Sequence, residues 1–179
     1  ATDIAGNITE SSIRTLKVDT ITPVINISIK GVSGINGWYV SKVEVTSTAY
    51  DGNSGVSSLD FVVDAGVWEK YTSPLGFTDG VHTVKFRVTD YAGNVTETLS
   101  KEIKVDTYTP FVSLKIDGTS GFNGWFVSPV TIEPIVNDSV SGVASVQVAV
   151  DDGGWAVVNN SIPFGEGLHT YQFKVVDGA

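Results

Sequence analysis

Residues 80–88 read Gly-Val-His-Thr-Val-Lys-Phe-Arg-Val, and apolar side chains occupy every second position from Val84 to Val88. Strict alternation of apolar and polar residues is typical of a β-strand that is buried on one face and solvated on the other. The start of this stretch returns 87 residues later, where residues 167–170 read Gly-Leu-His-Thr. The same strand is therefore predicted twice in the chain.

The repeat extends well beyond this strand. Residues 18–23, Val-Asp-Thr-Ile-Thr-Pro, return as residues 105–110, Val-Asp-Thr-Tyr-Thr-Pro. Residues 36–41, Asn-Gly-Trp-Tyr-Val-Ser, return as residues 123–128, Asn-Gly-Trp-Phe-Val-Ser. Both offsets are 87 residues, with no insertion between the copies. A fixed period of this length indicates tandem copies of one structural unit.

Turn residues divide each unit into short runs. In the first unit these turns include residues 51–55, 64–66, 79–80 and 92–94, which are rich in Gly, Asn and Asp and suit the positive φ of tight turns. We count about seven strands per unit, taking residues 95–105 as a strand although their apolar spacing also fits a helix. This pattern predicts an all-β protein of two tandem immunoglobulin-like β-sandwich domains in an elongated arrangement.

The phase of the repeat predicts the domain organisation. Residues 2–7 match residues 89–94, so residues 1–19 are expected to be the last strand of a preceding repeat plus a linker. Residues 20–106 then form one repeat, and residues 107–179 form a second repeat that lacks its last strand. Such a truncated array leaves a sheet edge open, and we expect Ile8–Val18 to fill it by strand exchange between fragments or by folding back.

Without a disulfide, the apolar side chains alone must hold each sandwich together. Trp38 and Trp125, with Trp68 and Trp155, are expected to supply much of the buried area. Pro23 and Pro110 end short linkers that contain no glycine, and proline stiffens the backbone around it. A semi-rigid rod is the expected result.

Composition excludes several classes of function. The net charge is -9 and the pI is about 4.5, which disfavours binding to nucleic acid or to anionic membranes. No apolar run approaches the roughly 20 residues of a membrane span. The chain has 0 Cys, which excludes thiolate metal sites and cysteine nucleophiles.

We predict that the chain is not an enzyme and has no catalytic residues. His82 and His169, the only histidines, occupy the same place in both copies and so belong to the repeated template. Nothing in the sequence signals the oxyanion hole and dedicated geometry that a Ser-His-Asp triad requires.

Loop acids give a candidate metal site. Calcium takes six to eight oxygen ligands, which clustered Asp and Asn side chains in loops can provide. The candidate ligands are Asp19, Asp51, Asn53, Asp90, Asn94, Asp106 and Asp138. The alternative is that these residues only form turns, in which Asp and Asn hydrogen-bond their own backbone.

Aromatic residues give a second candidate site. Tyr39, Trp68 and Tyr71 could stack on sugar rings as a binding platform, although Val158 replaces Tyr71 in the second unit. Packing in the core or between domains is the competing interpretation of these residues.

The quoted motifs, together with Asp-x-x-Ser-Gly-Val at residues 51–56 and Asp-x-Gly-x-Trp at residues 64–68, resemble the bacterial immunoglobulin-like repeats of secreted and cell-surface proteins. The resemblance covers nearly the whole chain. It implies an extracellular or cell-surface setting and a non-catalytic spacer or stalk in an adhesin or a secreted multidomain enzyme. A module that binds carbohydrate or a host protein is the alternative. Neighbouring repeats of the same chain are the expected partners.

Overall fold

The computed structural model describes residues 1–179, and all of its regular elements are β-strands. The prediction of an all-β fold is therefore confirmed. The strands of the first repeat are β1 (Val24–Lys30), β2 (Trp38–Tyr39), β3 (Val43–Tyr50), β4 (Val56–Val63), β5 (Glu69–Lys70), β6 (Leu75–Phe77), β7 (Gly80–Asp90), β8 (Val95–Glu97) and β9 (Lys101–Val105). Those of the second are β10 (Phe111–Asp117), β11 (Val130–Asn137), β12 (Val143–Val150), β13 (Ala156–Val157), β14 (Ile162–Phe164) and β15 (Tyr171–Asp177).

The first repeat is a sandwich of two sheets. One sheet has the order β1-β3-β6, and the other has the order β2-β9-β7-β4-β5 with β8 also paired to β7. The alternation expected for β7 is confirmed, because Val84, Phe86 and Val88 are buried. The core cluster between the sheets consists of Val43, Val45, Phe77, Val84, Phe86, Ile103 and Val105.

Residues 95–105 form two short strands rather than one. Both pair with β7, β8 along residues 87–89 and β9 along residues 80–84. Between them, the Thr98 hydroxyl accepts a hydrogen bond from the Phe86 amide at 3.0 Å, so the interruption stays attached to β7.

The second repeat has the same architecture with fewer strands. Its sheets have the orders β10-β11-β14 and β13-β12-β15. No strand occupies the place that β9 holds in the first repeat, so the counterparts of β2 and of the first residues of β7 lack a neighbouring strand in that place and form no strand. The core is correspondingly thin, with only Ile132 and Val148 as fully buried apolar residues.

The expectation that tryptophans form the core is wrong. Trp38 and Trp68 are half-buried, whereas Trp125 and Trp155 are exposed. The space between the sheets is filled instead by valine, isoleucine and phenylalanine, which alternate inward along the long strands. Pro23 is buried and Pro110 is half-buried, both at the starts of their repeats.

The turns expected to need a positive φ adopt it. Asp64 has φ 52° and Gly93 has φ 97°, a region that glycine and aspartate tolerate better than most residues. The chain contains no helix of the length and hydrophobicity needed to cross a membrane.

Candidate functional site

The junction between the two repeats centres on Asp106, which is 1% exposed. Its backbone amide donates to the carbonyl of Tyr39 in the first repeat at 2.9 Å. Its Oδ2 accepts a hydrogen bond from the Ser141 amide in the second repeat at 3.0 Å, and its Oδ1 accepts one from Tyr108 in the linker at 3.0 Å. One buried residue therefore holds both repeats and the linker.

A second set of contacts joins the repeats through residues 178 and 179. The Ile35 amide donates to the carbonyl of Ala179 at 2.8 Å, and the Asn36 side-chain amide donates to the carbonyl of Gly178 at 3.3 Å. Asn36 has φ 51°, a left-handed conformation that asparagine adopts more readily than most residues. With Asp106, these contacts fix the junction at two places.

Asp19 repeats the geometry of Asp106 at the start of the first repeat. Its Oδ2 accepts a hydrogen bond from the Ser54 amide at 2.8 Å, and its Oδ1 accepts one from the Ile21 amide at 3.0 Å. These donors, Ser54 first, lower the pKa of Asp19 to about 2. The carboxylate is thus ionised at neutral pH.

Each repeat gathers three carboxylates at this end of the sandwich. Asp19, Asp51 and Asp90 form one cluster, in which one oxygen from each residue lies within 4.8 Å of the others. Asp106, Asp138 and Asp177 form the same cluster in the second repeat. Asp90 and Asp106 are buried, and none of the six carboxylates belongs to an ion pair of the chain.

Asp90 is a buried charge held by backbone donors. It is 2% exposed, and its Oδ1 accepts hydrogen bonds from the amides of Ala92, Gly93 and Asn94 at 2.7–2.9 Å. Burial raises the pKa of Asp90, but the hydrogen bonds from Asn94, Gly93 and Ala92 outweigh it, so the pKa lies below the ordinary value of 3.8. The cluster therefore concentrates negative charge where little solvent reaches it.

The residues predicted as metal ligands thus divide into two groups. The predicted aspartates converge in the two clusters, whereas Asn53 and Asn94 direct their amide nitrogens at Asp19 and Asp90 and act as hydrogen-bond donors. Sequence reasoning missed Asp177, although it lies 87 residues after Asp90 and the repeat period alone identifies it. Three converging carboxylates form an oxygen-rich set of the kind that calcium binds.

The two histidines tie a turn to a neighbouring segment of the chain in each repeat. The His82 Nδ1 lies 3.2 Å from Asp64 Oδ2, and the His169 Nδ1 lies 2.7 Å from Asp151 Oδ2. The other oxygen of Asp64 accepts a hydrogen bond from the Thr83 amide at 2.7 Å. Each pair therefore has a structural role, because it ties the turn that follows β4 or β12 to the segment that contains the histidine.

The His169–Asp151 pair should make the stability of the second repeat depend on pH. The hydrogen bond to Asp151 raises the pKa of His169 above 6.5, so its contribution is complete below pH 6.5 and is lost as the pH rises through the raised value. The hydrogen bonds from His169 and Thr170 lower the pKa of Asp151 below 3.8, so its contribution is lost as the pH falls through the lowered value.

Urea unfolding from pH 3 to pH 9 is expected to show that the second repeat is most stable between the lowered pKa of Asp151 and the raised pKa of His169. The variant His169→Gln should lose the decline in stability on the alkaline side. His82→Gln, in the first repeat, is the matched control and should leave the profile of the second repeat unchanged. An alkaline decline that persists in His169→Gln would contradict the assignment.

The three aromatic residues do not form one exposed platform. Tyr71 packs edge-on against Phe86 in the core, with ring centroids 5.6 Å apart, and Tyr39 also packs against the core. Trp68 lies on the opposite, outer face of the sheet, where the Arg87 guanidinium sits 4.4 Å from its ring centroid. The prediction of a shared stacking surface is therefore wrong, because the alternation along β7 places Phe86 and Arg87 on opposite faces.

The fold and its junction define a class of protein, the tandem β-sandwich modules of immunoglobulin-like type. The family model described as bacterial Ig-like domain matches residues 6–107, and the chain belongs to this family. Among solved structures, it is similar to the fibronectin(III)-like modules of Clostridium thermocellum CbhA, at 16% identity and a TM-score of 0.35 over 86% of each chain. No curated protein matches the chain at a significant level.

Proposed function

We propose that the chain is a non-catalytic structural spacer of a bacterial extracellular or cell-surface protein, which holds neighbouring domains at a fixed separation and orientation. The observation that carries this proposal is the bridging of both repeats by Asp106. Its backbone bonds to the first repeat and its side chain bonds to the second, so rotation about the linker breaks a buried hydrogen bond.

The same arrangement at Asp19 supports a repeating design. Asp19 binds Ser54 as Asp106 binds Ser141, 87 residues later. If each junction of a longer array has this form, every repeat is rotated by the same angle and the array is extended, as in other linear repeat proteins.

We further propose that a calcium ion at each carboxylate cluster stiffens the junction. Asp106 belongs both to the second cluster and to the inter-repeat contact. A divalent cation there would neutralise three carboxylates and hold the linker, the turn at residues 138–142 and the turn at Asp177 together. Removing the ion would leave these like charges to repel one another.

Distance measurements between spin labels test the spacer function. Because the chain has 0 Cys, Thr72→Cys and Asn159→Cys place one label at the same exposed position of each repeat. We expect a narrow distance distribution that broadens in Asp106→Ala, because the link to Ser141 is lost.

Asp19→Ala is the matched control, since it removes the same local hydrogen bonds without touching the junction between the labelled repeats. A broad distribution in the parent, or no broadening in Asp106→Ala, would show that the repeats move independently and would overturn the proposal.

A further inference from the structure

The sequence places an asparagine before a glycine twice, and both pairs lie in the same turn of the repeat. Residues 36–37 and residues 123–124 are the two Asn-Gly pairs of the chain. In the first repeat, the Trp38 amide donates to the Ile35 carbonyl at 2.9 Å, and the two residues between them have φ 51° and φ 78°. Positive φ at both central residues defines a type I′ turn, for which Asn-Gly is the preferred sequence.

This turn is one of the contact points between the repeats. The Asn36 side-chain amide donates to the carbonyl of Gly178 at 3.3 Å, and the Ile35 amide donates to the carbonyl of Ala179 at 2.8 Å. The loop approaches so closely that a β-carbon on Gly34 would lie 2.7 Å from the Ala179 carbonyl oxygen. The fit at this contact therefore depends on a hydrogen-bond donor at position 36.

An asparagine that precedes a glycine carries the reactants of its own deamidation. The main-chain nitrogen of Gly37 can attack Cγ of Asn36, because glycine has no side chain to obstruct the approach. The Gly37 amide forms no hydrogen bond with another main-chain group, so no such bond has to break before it reacts. The turn therefore holds an amide nitrogen and a side-chain carbonyl carbon that are ready to join.

A lysine stands beside this turn. Lys104 of β9 pairs with Trp38 of β2, and the Lys104 Nζ lies 5.6 Å from the centroid of the Trp38 ring. The Cε and Nζ atoms of Lys104 lie 3.6 Å and 3.9 Å from the point that a β-carbon on Gly37 would occupy. A cation in this position stabilises the negative charge that develops on the side-chain oxygen of Asn36 during the attack.

We propose that Asn36, assisted by Lys104, is a self-modification site whose deamidation loosens the junction between the repeats. The Gly37 nitrogen loses its proton and forms a bond to Cγ of Asn36, the bond from Cγ to Nδ2 breaks, and Nδ2 leaves as ammonia. Water then opens the resulting succinimide at either of its carbonyl carbons, which gives aspartate or isoaspartate at position 36. Water is the co-reactant, and nothing is oxidised or reduced.

Either product removes the hydrogen-bond donor that faces Gly178. A carboxylate at neutral pH has no proton to donate, so its oxygens meet the Gly178 carbonyl oxygen as one acceptor meets another. Isoaspartate also adds one atom to the main chain, so the turn hydrogen bond between Ile35 and Trp38 no longer fits. Because the ammonia is lost to solvent, the change runs in one direction as the protein ages.

The inference rests on the proposed function, in which the junction is the fixed link of the spacer. Asp106 keeps its own bonds to both repeats when Asn36 changes. Deamidation at Asn36 therefore widens the range of distances between the repeats without separating them.

Peptide mass spectrometry measures the reaction. After incubation in mildly alkaline buffer, the peptide that contains Asn36 should show the mass gain of an Asn-to-Asp conversion, whereas Asn26, which precedes isoleucine, should not. Lys104→Gln should slow this gain several-fold. Lys101→Gln is the matched control, since Lys101 lies at the other end of the same strand. No gain at Asn36, an equal gain at Asn26, or an unchanged rate in Lys104→Gln would overturn the proposal.

Spin labels at Thr72→Cys and Asn159→Cys measure the consequence. Asn36→Asp reproduces the product, and we expect it to broaden the distance distribution of the parent. Asn123→Asp is the matched control, because it makes the same change in the same turn of the second repeat, where the side chain bonds to no residue of the first. A narrow parent with an equally narrow Asn36→Asp chain would overturn this inference alone, whereas a broad parent would overturn the spacer function and this inference with it.

Discussion

Phe86→Ala will lower the free energy of unfolding of the first repeat by roughly 3–5 kcal/mol, the usual cost of removing a phenylalanine from a packed core. Phe86 is fully buried at the centre of the core cluster, where it contacts Tyr71 edge-on. The cavity cannot collapse readily, because the surrounding strands are held by β9 on one side and by β4 on the other.

Phe173→Ala is the matched control, 87 residues later in the chain. Phe173 occupies the same position on β15 but is only half-buried, because no counterpart of β9 covers it. Removing the Phe173 ring loses less buried apolar area and leaves a space that solvent already reaches. The free energy of unfolding should therefore fall clearly less than it does in Phe86→Ala. Urea unfolding followed through backbone amide resonances measures the stability of each repeat separately. Equal losses of free energy of unfolding in the two variants would contradict the inference that β9 covers the core of the first repeat.

Calcium will raise the melting temperature of the chain relative to the protein in EDTA. A ligand that binds only the folded state at one hundred times its dissociation constant adds about 2.7 kcal/mol per site to the free energy of unfolding. Under the proposal of calcium at the junctions, the two clusters are two such sites, each with three carboxylate oxygens within 4.8 Å of one another. Differential scanning calorimetry at increasing calcium concentration measures the effect.

The double variant Asp51→Asn, Asp138→Asn should lose this rise. Asparagine keeps an acceptor for the amides of Gly55 and Gly142, which Asp51 and Asp138 now bind at 2.8 Å, and removes one charge from each cluster. Asp3→Asn is the control, because Asp3 forms a similar turn with Asn7 but belongs to neither cluster. No rise in the parent, or the same rise in the double variant, would leave the acids as turn-forming residues only.

If both predictions hold, the repeat has two separate sources of rigidity. The apolar core around Phe86 holds each sandwich together, and the carboxylate cluster fixes one sandwich to the next. Acid should loosen the first carboxylate cluster before the core, since protonation of Asp19 and Asp90 removes acceptors that are ionised in the folded state. The pKa of Asp19, about 2, places that loss in strongly acidic solution.

The sequence by itself determined the period, the all-β class and the strands with the clearest alternation. These features are local, because a period of two along β7 or a Gly-Asn turn at Gly93 is set by neighbouring residues. The repeat also assigned His82 and His169 to the repeated template, and the structure shows the same bond to an aspartate, Asp64 or Asp151, in each copy.

Tertiary structure alone decided which side chains meet and which elements have partners. Asp19, Asp51 and Asp90 lie far apart in the chain, and only the packing of a linker against two turns brings their oxygens together. Tryptophans could not be placed from composition, because only the folded sheets show that Val, Ile and Phe fill the core while Trp68 packs against Arg87 on the outer face. Residues 167–170 have the sequence of a strand but form none, since a strand requires hydrogen-bonding partners that distant residues must supply.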